Sequence, residues 1–133
     1  AALDEYLEAP LVSTQPEYSA AHLAPLRDGT LDQAMAQGFA VLAWSPLAGG
    51  RLATGDGLRK ELVAVLDELA AREGVDRSII ALAFVLAHPS GPVAILGTQQ
   101  VQRLRDAQKS LEVHLDRLDC YRIVAASEGV ALP

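Results

Sequence analysis

The sequence is poor in cysteine, and it lacks both a surplus of basic residues and a long hydrophobic run. Cys120 is the one cysteine among 133 residues, so no disulfide forms within the chain, as in proteins of a reducing cytosol. The net charge of −6 argues against a general nucleic-acid surface, which needs a basic patch. The apolar run at 79–87 is too short to span a membrane. We therefore expect a cytoplasmic protein without nucleic-acid or membrane partners.

The chain also lacks an initiating methionine and the pattern of a signal peptide. It begins at Ala1, its one methionine is Met35, and its first ten residues include no basic residue. Half of the residues are hydrophobic, which is enough to build a core for one domain. We expect residues 1–133 to be a partial domain without an internal boundary, and a fragment that carries only part of a site.

Strand and helix signals alternate along the chain. Apolar runs predict three short buried strands, over Leu11–Gln15, Phe39–Trp44 and Val93–Leu96. Apolar periodicity predicts the tail of a helix over 1–9 and further helices over 30–37, 58–73, 77–87, 101–111 and 117–127. Such alternation is typical of an α/β fold with parallel strands. Three strands cannot close a barrel, so further chain or a partner has to cover the sheet edges.

Particular residues predict where these helices begin and end. Thr30 followed by Gln33 has the form of a capping box, and Gly38 is placed to end that helix. Asp76 and Asp116 are predicted to cap the two helices that follow them. Residues 51–57 are polar and predict a loop.

Polar residues follow the first two predicted strands at their carboxyl ends, where ligands bind in parallel α/β sheets. Gln15 ends the first strand, and its amide either satisfies backbone groups, the reading that spacing alone favours, or binds a ligand amide. Trp44 ends the second strand and is equally consistent with a wall for a planar ligand ring or with a core position. Pro46 predicts an extended conformation for Ser45.

Two glycine-containing segments predict phosphate contacts. In the sequence Ala48-Gly49-Gly50-Arg51, the backbone can approach a phosphate beside a cation, although most such segments are simple turns. Gly97 and Thr98 lie between the third strand and a helix, where Thr98 either caps the helix or belongs to a phosphate site at its N-terminus. Arg103 lies within the first turns of that helix and either reaches a second phosphate or points to solvent.

No set of residues predicts a metal site. The three histidines, His22, His88 and His114, lack metal-ligand spacing with one another or with other ligands. Cys120 lies on a predicted helix face with Ile123, which indicates a core residue.

Taken together, the segments at the three strand ends resemble those of the aldo/keto reductases. Ser13–Ser19 is similar to the sixth strand of that family with its Gln-x-Glu-Tyr segment, and Ala43–Leu47 to the seventh-strand aromatic-Ser-Pro-Leu motif. Ile95–Asp106 is similar to the eighth strand and the adenosine-phosphate segment. The Trp-Ser-Pro-Leu-x-Gly-Gly-Arg-Leu form is most similar to the bacterial oxidoreductase branch. The resemblance implies the C-terminal part of a (β/α)8 TIM barrel, about strands 6 to 8.

The resemblance also implies that these residues bind NADPH (NADP+). Gln15 would contact the nicotinamide carboxamide, and Trp44 would stack on the nicotinamide ring, where many members have tyrosine. Ser45 and Leu47 would line the pyrophosphate, with Arg51 assisting.

At the other end of the dinucleotide, the resemblance implies a site for the adenosine phosphate. Gly97, Thr98 and Gln99 would surround the phosphate, and Arg103 would neutralise the group that distinguishes NADPH from NADH. Asp106 would lie near the adenine, where the family usually has glutamate.

The sequence departs from the family in two ways. Ala107 replaces the usual asparagine, which removes one adenine contact. The catalytic Asp, Tyr, Lys and His motifs belong to the N-terminal half of the barrel, and the chain contains none of them. The resemblance therefore implies a cofactor-binding half of a reductase of small-molecule aldehydes or ketones, inactive without the missing N-terminal half. A non-catalytic nucleotide-binding or regulatory module and a purely structural half-barrel remain the alternatives.

Overall fold

In the computed structural model, which describes residues 4–131, three short strands form one parallel sheet in the order β1-β2-β3. The strands are β1 (Ser13–Thr14), β2 (Ala40–Ala43) and β3 (Val93–Ala94). Ser13 pairs with Ala40, and Leu42 pairs with Val93. The strands are shorter than predicted, but their parallel arrangement and the α/β alternation are confirmed.

Helices connect the strands and follow the last of them. They are α1 (Ala24–Arg27), α2 (Thr30–Gln37), α3 (Arg51–Thr54), α4 (Lys60–Glu73), α5 (Arg77–Leu86), α6 (Val101–Ala107) and α7 (Arg117–Glu128). Two 3-10 helices, Asp4–Tyr6 and Gln108–Leu111, complete the regular structure of the described residues. None of the helices between residues 4 and 131 is long and apolar enough to cross a membrane.

The core lies between the sheet and helices α4, α5 and α7. Leu62, Leu66 and Leu69 form the buried stripe of α4, as the apolar periodicity predicts. Seven consecutive residues of α5 are buried, from Ile79 to Val85, so this helix is packed nearly all round, also as predicted. Ile123 of α7 is fully buried in the same cluster.

Within the described residues helices cover only one face of the sheet, so the burial on both faces expected for the apolar run Phe39–Trp44 is not provided by this part of the chain. Burial alternates along β2, the central strand. Val41 and Ala43 are fully buried, whereas Ala40 is exposed and Leu42 is half-buried. Side chains alternate across a strand, so the second face of the sheet is open within the described residues. Val93 on that face is 54% exposed. An apolar strand sequence predicts burial, but a covering layer must be present to provide it.

Two other segments differ from the prediction. The predicted helix at 1–9 is limited in the described part to the 3-10 turn Asp4–Tyr6, and residues 1–3 lie outside the described range. Tyr6 and Leu7 are exposed, so this turn lacks the tertiary packing that stabilises short helices. The predicted loop at 51–57 contains α3, and α1 was not predicted at all.

The helix caps agree with the sequence in part. Gly38 ends α2 with a φ of 74°, as predicted, but Gly29 and not Thr30 is the residue before the first turn. There Asp28 Oδ1 accepts a hydrogen bond from the Thr30 amide at 2.9 Å, so the predicted capping box is wrong. Asp116 does cap α7, and its carboxylate accepts from the Asp119 amide at 2.8 Å. Asp76 precedes α5, but its side chain makes no capping hydrogen bond.

Candidate functional site

The carboxyl ends of the three strands lie side by side. The register of β1 and β2 continues beyond the strands, where Glu17 pairs with Trp44 in a parallel bridge. The Trp44 amide donates to the Pro16 carbonyl at 3.0 Å, and the Ile95 amide donates to the Ala43 carbonyl at 2.9 Å. The structure thus brings the three predicted motifs to one edge of the sheet.

Gln15 and Trp44 lie on the open face of this edge. In the continued register Gln15 is level with Leu42, and the alternation of side chains puts both on the same face as Trp44. The Gln15 side chain is exposed and Trp44 is 45% exposed. A core position for Trp44 therefore does not hold within the described residues, and its ring is accessible at the strand end.

The loop after β2 is a tight turn with two residues in unusual conformations. Ser45 has a φ of 50° and Ala48 a φ of 52°, a region that residues other than glycine rarely adopt. The Ser45 carbonyl accepts from the Ala48 amide at 2.9 Å, and the Ser45 hydroxyl accepts from the Gly49 amide at 3.2 Å. The prediction of an extended Ser45 is therefore wrong, because the two hydrogen bonds of this turn outweigh the local preference set by Pro46.

The backbone amides from Ala48 to Leu52 are all engaged within this loop. The Gly50 and Leu52 amides donate to the Leu47 carbonyl, and the Arg51 amide donates to the Ala48 carbonyl. The Gly49 and Gly50 amides, which the glycine pair suggested as phosphate donors, are therefore already engaged. Side-chain donors for an anion in this loop are the Ser45 hydroxyl and the Arg51 guanidinium. Arg51 is exposed, and its Nε donates to the Ala48 carbonyl at 3.2 Å.

The segment after β3 is open and polar. Gly97 is exposed, and a Cβ at that position would meet no atom within 4 Å. Thr98 Oγ1 accepts from the Gln100 amide at 3.2 Å, and Gln100, not Thr98, precedes the first turn of α6. Gln99 is exposed. This segment can be approached closely by a ligand.

Helix α6 lies on the surface, and none of its residues is buried. Arg103 is exposed, and no ion pair joins it to a carboxylate among residues 5–131, whose side chains the structure describes. Asp106 Oδ1 accepts from Gln102 Nε2 at 3.1 Å and lies 3.3 Å from Lys109 Nζ. Arg103 is thus exposed to an anionic ligand, whereas the Asp106 carboxylate one turn later is paired with Lys109.

Tyr18 lies next to this edge but faces the core. It is 1% exposed and packs at 5.9 Å against the ring of Phe84 and edge-on against His88. Burial, with a smaller contribution from Cys120, raises the pKa of the Tyr18 hydroxyl well above its usual range. A neutral, enclosed phenol on the helix side of the sheet does not donate a proton to a ligand on the open face.

The other titratable groups have structural surroundings. Cys120 is half-buried, and burial together with Asp119 raises the pKa of its thiol, as expected for a core cysteine. Burial lowers the pKa of His88. No cluster of His, Cys, Asp and Glu in the described part of the chain has the arrangement of a metal site.

Two surface clefts lie on the helical side of β3 and along α5. One of about 310 Å³ lies between α5, β3 and α6, and one of about 350 Å³ lies beside residues 110–115. Neither cleft is lined by any of the ten residues predicted to bind the cofactor. The predicted site is therefore an open face of this chain and not an enclosed pocket.

Comparison with known proteins identifies relatives for nearly the whole chain. The model of the aldo/keto reductase family matches residues 2–128. The 6-dehydroglucose reductase of Novosphingobium aromaticivorans is 42% identical over 100% of this chain and 44% of its own length. Oxidoreductase YdhF of Escherichia coli is 37% identical over 100% of this chain and 45% of its own length.

A solved structure shows the same arrangement of elements. The thermostable aldo-keto reductase Tm1743, crystallised with the inhibitor epalrestat, superposes with a TM-score of 0.82 at 28% identity. The match covers 92% of this chain and 42% of that protein. The chain thus spans less than half the length of the relatives it matches, and its three parallel strands are consistent with part of a barrel.

Proposed function

The chain belongs to the aldo/keto reductase family, and from that premise we propose that it supplies the cofactor-binding part of an NADPH-dependent reductase of aldehydes or ketones. The observation that carries the proposal is the exposed pair Gln15 and Trp44 at adjoining strand ends. Its strands would be the sixth to eighth of a (β/α)8 barrel in the cytoplasm. Residues 1–133 would form one part of that domain, and the N-terminal half would complete it.

The residues at the open face fit the nicotinamide end of NADPH. The exposed ring of Trp44 offers a flat surface for stacking. The Gln15 side chain has both a donor and an acceptor, which is what a carboxamide requires of its partner. Together they would fix the orientation of the ring relative to a carbonyl substrate. The bound dinucleotide would supply the hydride for that carbonyl.

The loop after β2 fits the pyrophosphate. The Gly49 amide occupies a lone pair of the Ser45 hydroxyl and leaves its hydrogen free to donate to a phosphate oxygen. Arg51 adds a positive charge, and Leu47 lines the same loop. A Cβ at Gly49 would meet nothing within 4 Å, so the ligand has room to approach.

The segment after β3 fits the adenosine phosphate. Gly97, Thr98 and Gln99 form an open stretch of backbone before α6, and Arg103 of that helix provides an exposed guanidinium. Lys109 offsets the charge of Asp106, so this carboxylate opposes a bound phosphate less than a free one would. Asp106 would then lie near the adenine.

The substrate of the whole protein would be a small molecule with an aldehyde or ketone. Two of the relatives are named 6-dehydroglucose reductase, so we include sugar carbonyls among the proposed substrates. The proton that accompanies the hydride would come from residues outside this chain, because Tyr18 is enclosed in the core.

Substitution of Arg103 tests the proposal in the native protein that carries this sequence. Arg103→Ala removes the charge proposed to face the adenosine phosphate, so NADPH binding should weaken by roughly 1.5–3 kcal/mol. NADH lacks that phosphate and should bind almost as before. Dissociation constants of both cofactors, measured by titration calorimetry, give the comparison.

Arg105→Ala is the matched control, because Arg105 is a second exposed arginine on the same helix. Its loss should change NADPH affinity little. Equal weakening of NADPH and NADH in the Arg103 variant would remove Arg103 from the proposed role.

A further inference from the structure

Helix α3 connects the loop after β2 to the body of the protein. It is a single turn, Arg51–Thr54, and a helix of that length does not persist without tertiary contacts. Leu52 provides one contact, because its side chain is fully buried in the core. One buried side chain fixes a point on the helix but leaves the helix free to tilt about it.

Arg77 provides the second contact. It comes from the first turn of α5, and its Nη1 donates to the Ala53 carbonyl in α3 at 3.2 Å. The remaining nitrogens are held by Asp67 of α4, with Nε to Oδ1 at 2.7 Å and Nη2 to Oδ2 at 2.9 Å. The Arg77 side chain is 20% exposed. This bidentate pair restricts the guanidinium to one orientation.

The Arg77 guanidinium packs closely against Gly55, the residue that ends α3. Gly55 has a φ of 85°, and a Cβ there would lie 2.8 Å from Arg77 Nη1. The Gly55 amide donates to the Arg51 carbonyl at 2.7 Å and closes the turn. Arg77 therefore holds the turn that carries Arg51, although the Arg77 side chain does not lie at the strand ends.

We propose that Arg77 is a positioning residue for the cofactor site. It acts through α3, which sets the place of Arg51 and of the loop that begins at Ser45. Asp67 acts with it by fixing the guanidinium. The inference rests on the proposed function, since it assigns Arg51 and this loop to the pyrophosphate.

The test compares Arg77→Lys and Asp67→Asn with Arg122→Lys in the native protein. Lysine keeps the charge of Arg77 but cannot bind the Asp67 carboxylate and the Ala53 carbonyl in one plane. Arg122 is the matched control, because it lies on α7 and its pair with Glu68 joins helix α4 to α7 instead of to α3. Hydrogen exchange of the amides of residues 53–55 is measured without cofactor, and the NADPH dissociation constant is measured by titration.

We expect Arg77→Lys and Asp67→Asn, but not Arg122→Lys, to change both the amide exchange of residues 53–55 and the NADPH dissociation constant. Amides 53–55 should exchange about tenfold faster, as in a segment that opens locally. NADPH should bind about tenfold more weakly, the size of one lost charged hydrogen bond. Arg122→Lys should leave both near the wild-type values. The variant with Asp67→Asn repeats the test if the Arg77 variant does not fold.

Two other results would overturn the inference in distinguishable ways. Unchanged exchange or unchanged NADPH affinity in the Arg77 and Asp67 variants, with normal binding by the wild type, refutes the positioning role alone. A wild-type protein that binds no NADPH refutes the proposed function and the positioning role together.

Discussion

Single residues at the strand ends carry the cofactor binding that we propose, and the sequence locates them better than it describes their conformation. Gln15 and Trp44 were predicted at strand ends and lie there on one face. The conformation of Ser45 was predicted wrongly, because its neighbour Pro46 sets a local preference but the hydrogen bonds with Ala48 and Gly49 decide it. Arg77 was missed altogether, since no local pattern shows that it reaches α3.

Gly55 gives a prediction about stability at this scale. Gly55→Ala should destabilise the protein by more than Gly38→Ala. Both glycines have positive φ, so either alanine costs about 1 kcal/mol in backbone strain. Only the Cβ at position 55 displaces the Arg77 guanidinium, whereas position 38 is open. Chemical denaturation measures the free energy of unfolding of both variants. Equal losses would show that the Arg77 guanidinium moves away from the new Cβ without a loss of stability.

Individual elements divide into those that the sequence defines and those that tertiary contacts define. Helices α4 and α5 were predicted within a few residues because a long apolar stripe specifies them. Helices α1 and α3 have four residues each, too few for a periodic signal. They depend on contacts such as Leu52 in the core, which no local reading of the sequence provides.

The two aspartates that precede helices give a prediction at the scale of elements. Asp116→Ala should lower the free energy of unfolding by about 1 kcal/mol, because the Asp116 carboxylate accepts from the Asp119 amide at the start of α7. Asp76→Ala should cost clearly less, because the Asp76 side chain makes no capping hydrogen bond to α5. Thermal and urea unfolding of the two variants test this. If Asp76→Ala lowers the free energy of unfolding as much as Asp116→Ala, the conclusion that only Asp116 of these two caps its helix is wrong.

At the scale of the whole chain, residues 4–131 present a sheet face that the helices of this part do not cover. The alternation of strands and helices allowed the α/β class to be predicted, because each strand is an apolar run followed by a polar end. Because three strands cannot close a barrel, uncovered sheet surface was expected. The apolar runs alone do not show that Leu42, which is half-buried, and Val93, which is exposed, lie on it.

At this scale we predict that the 133-residue chain alone does not reduce carbonyls. In the proposed function the chain contributes cofactor contacts, while Tyr18, the tyrosine next to the strand ends, is enclosed in the core and does not donate the proton. Purified chain should show no oxidation of NADPH above background with aldehydes or ketones. Robust turnover would contradict the division of roles that we propose. Binding of NADPH by the native protein without reduction of any carbonyl would instead favour a regulatory module.

The central claim is that NADPH binds against Trp44, the one tryptophan of this chain. The most direct measurement is a titration of the native protein with NADPH, following tryptophan emission, for the wild type and for Trp44→Phe. The account predicts that wild-type emission falls as energy passes to the stacked nicotinamide. In the variant, that loss should disappear and NADPH should bind more weakly by about 1 kcal/mol. Identical affinity and identical loss of emission in both proteins would contradict the account.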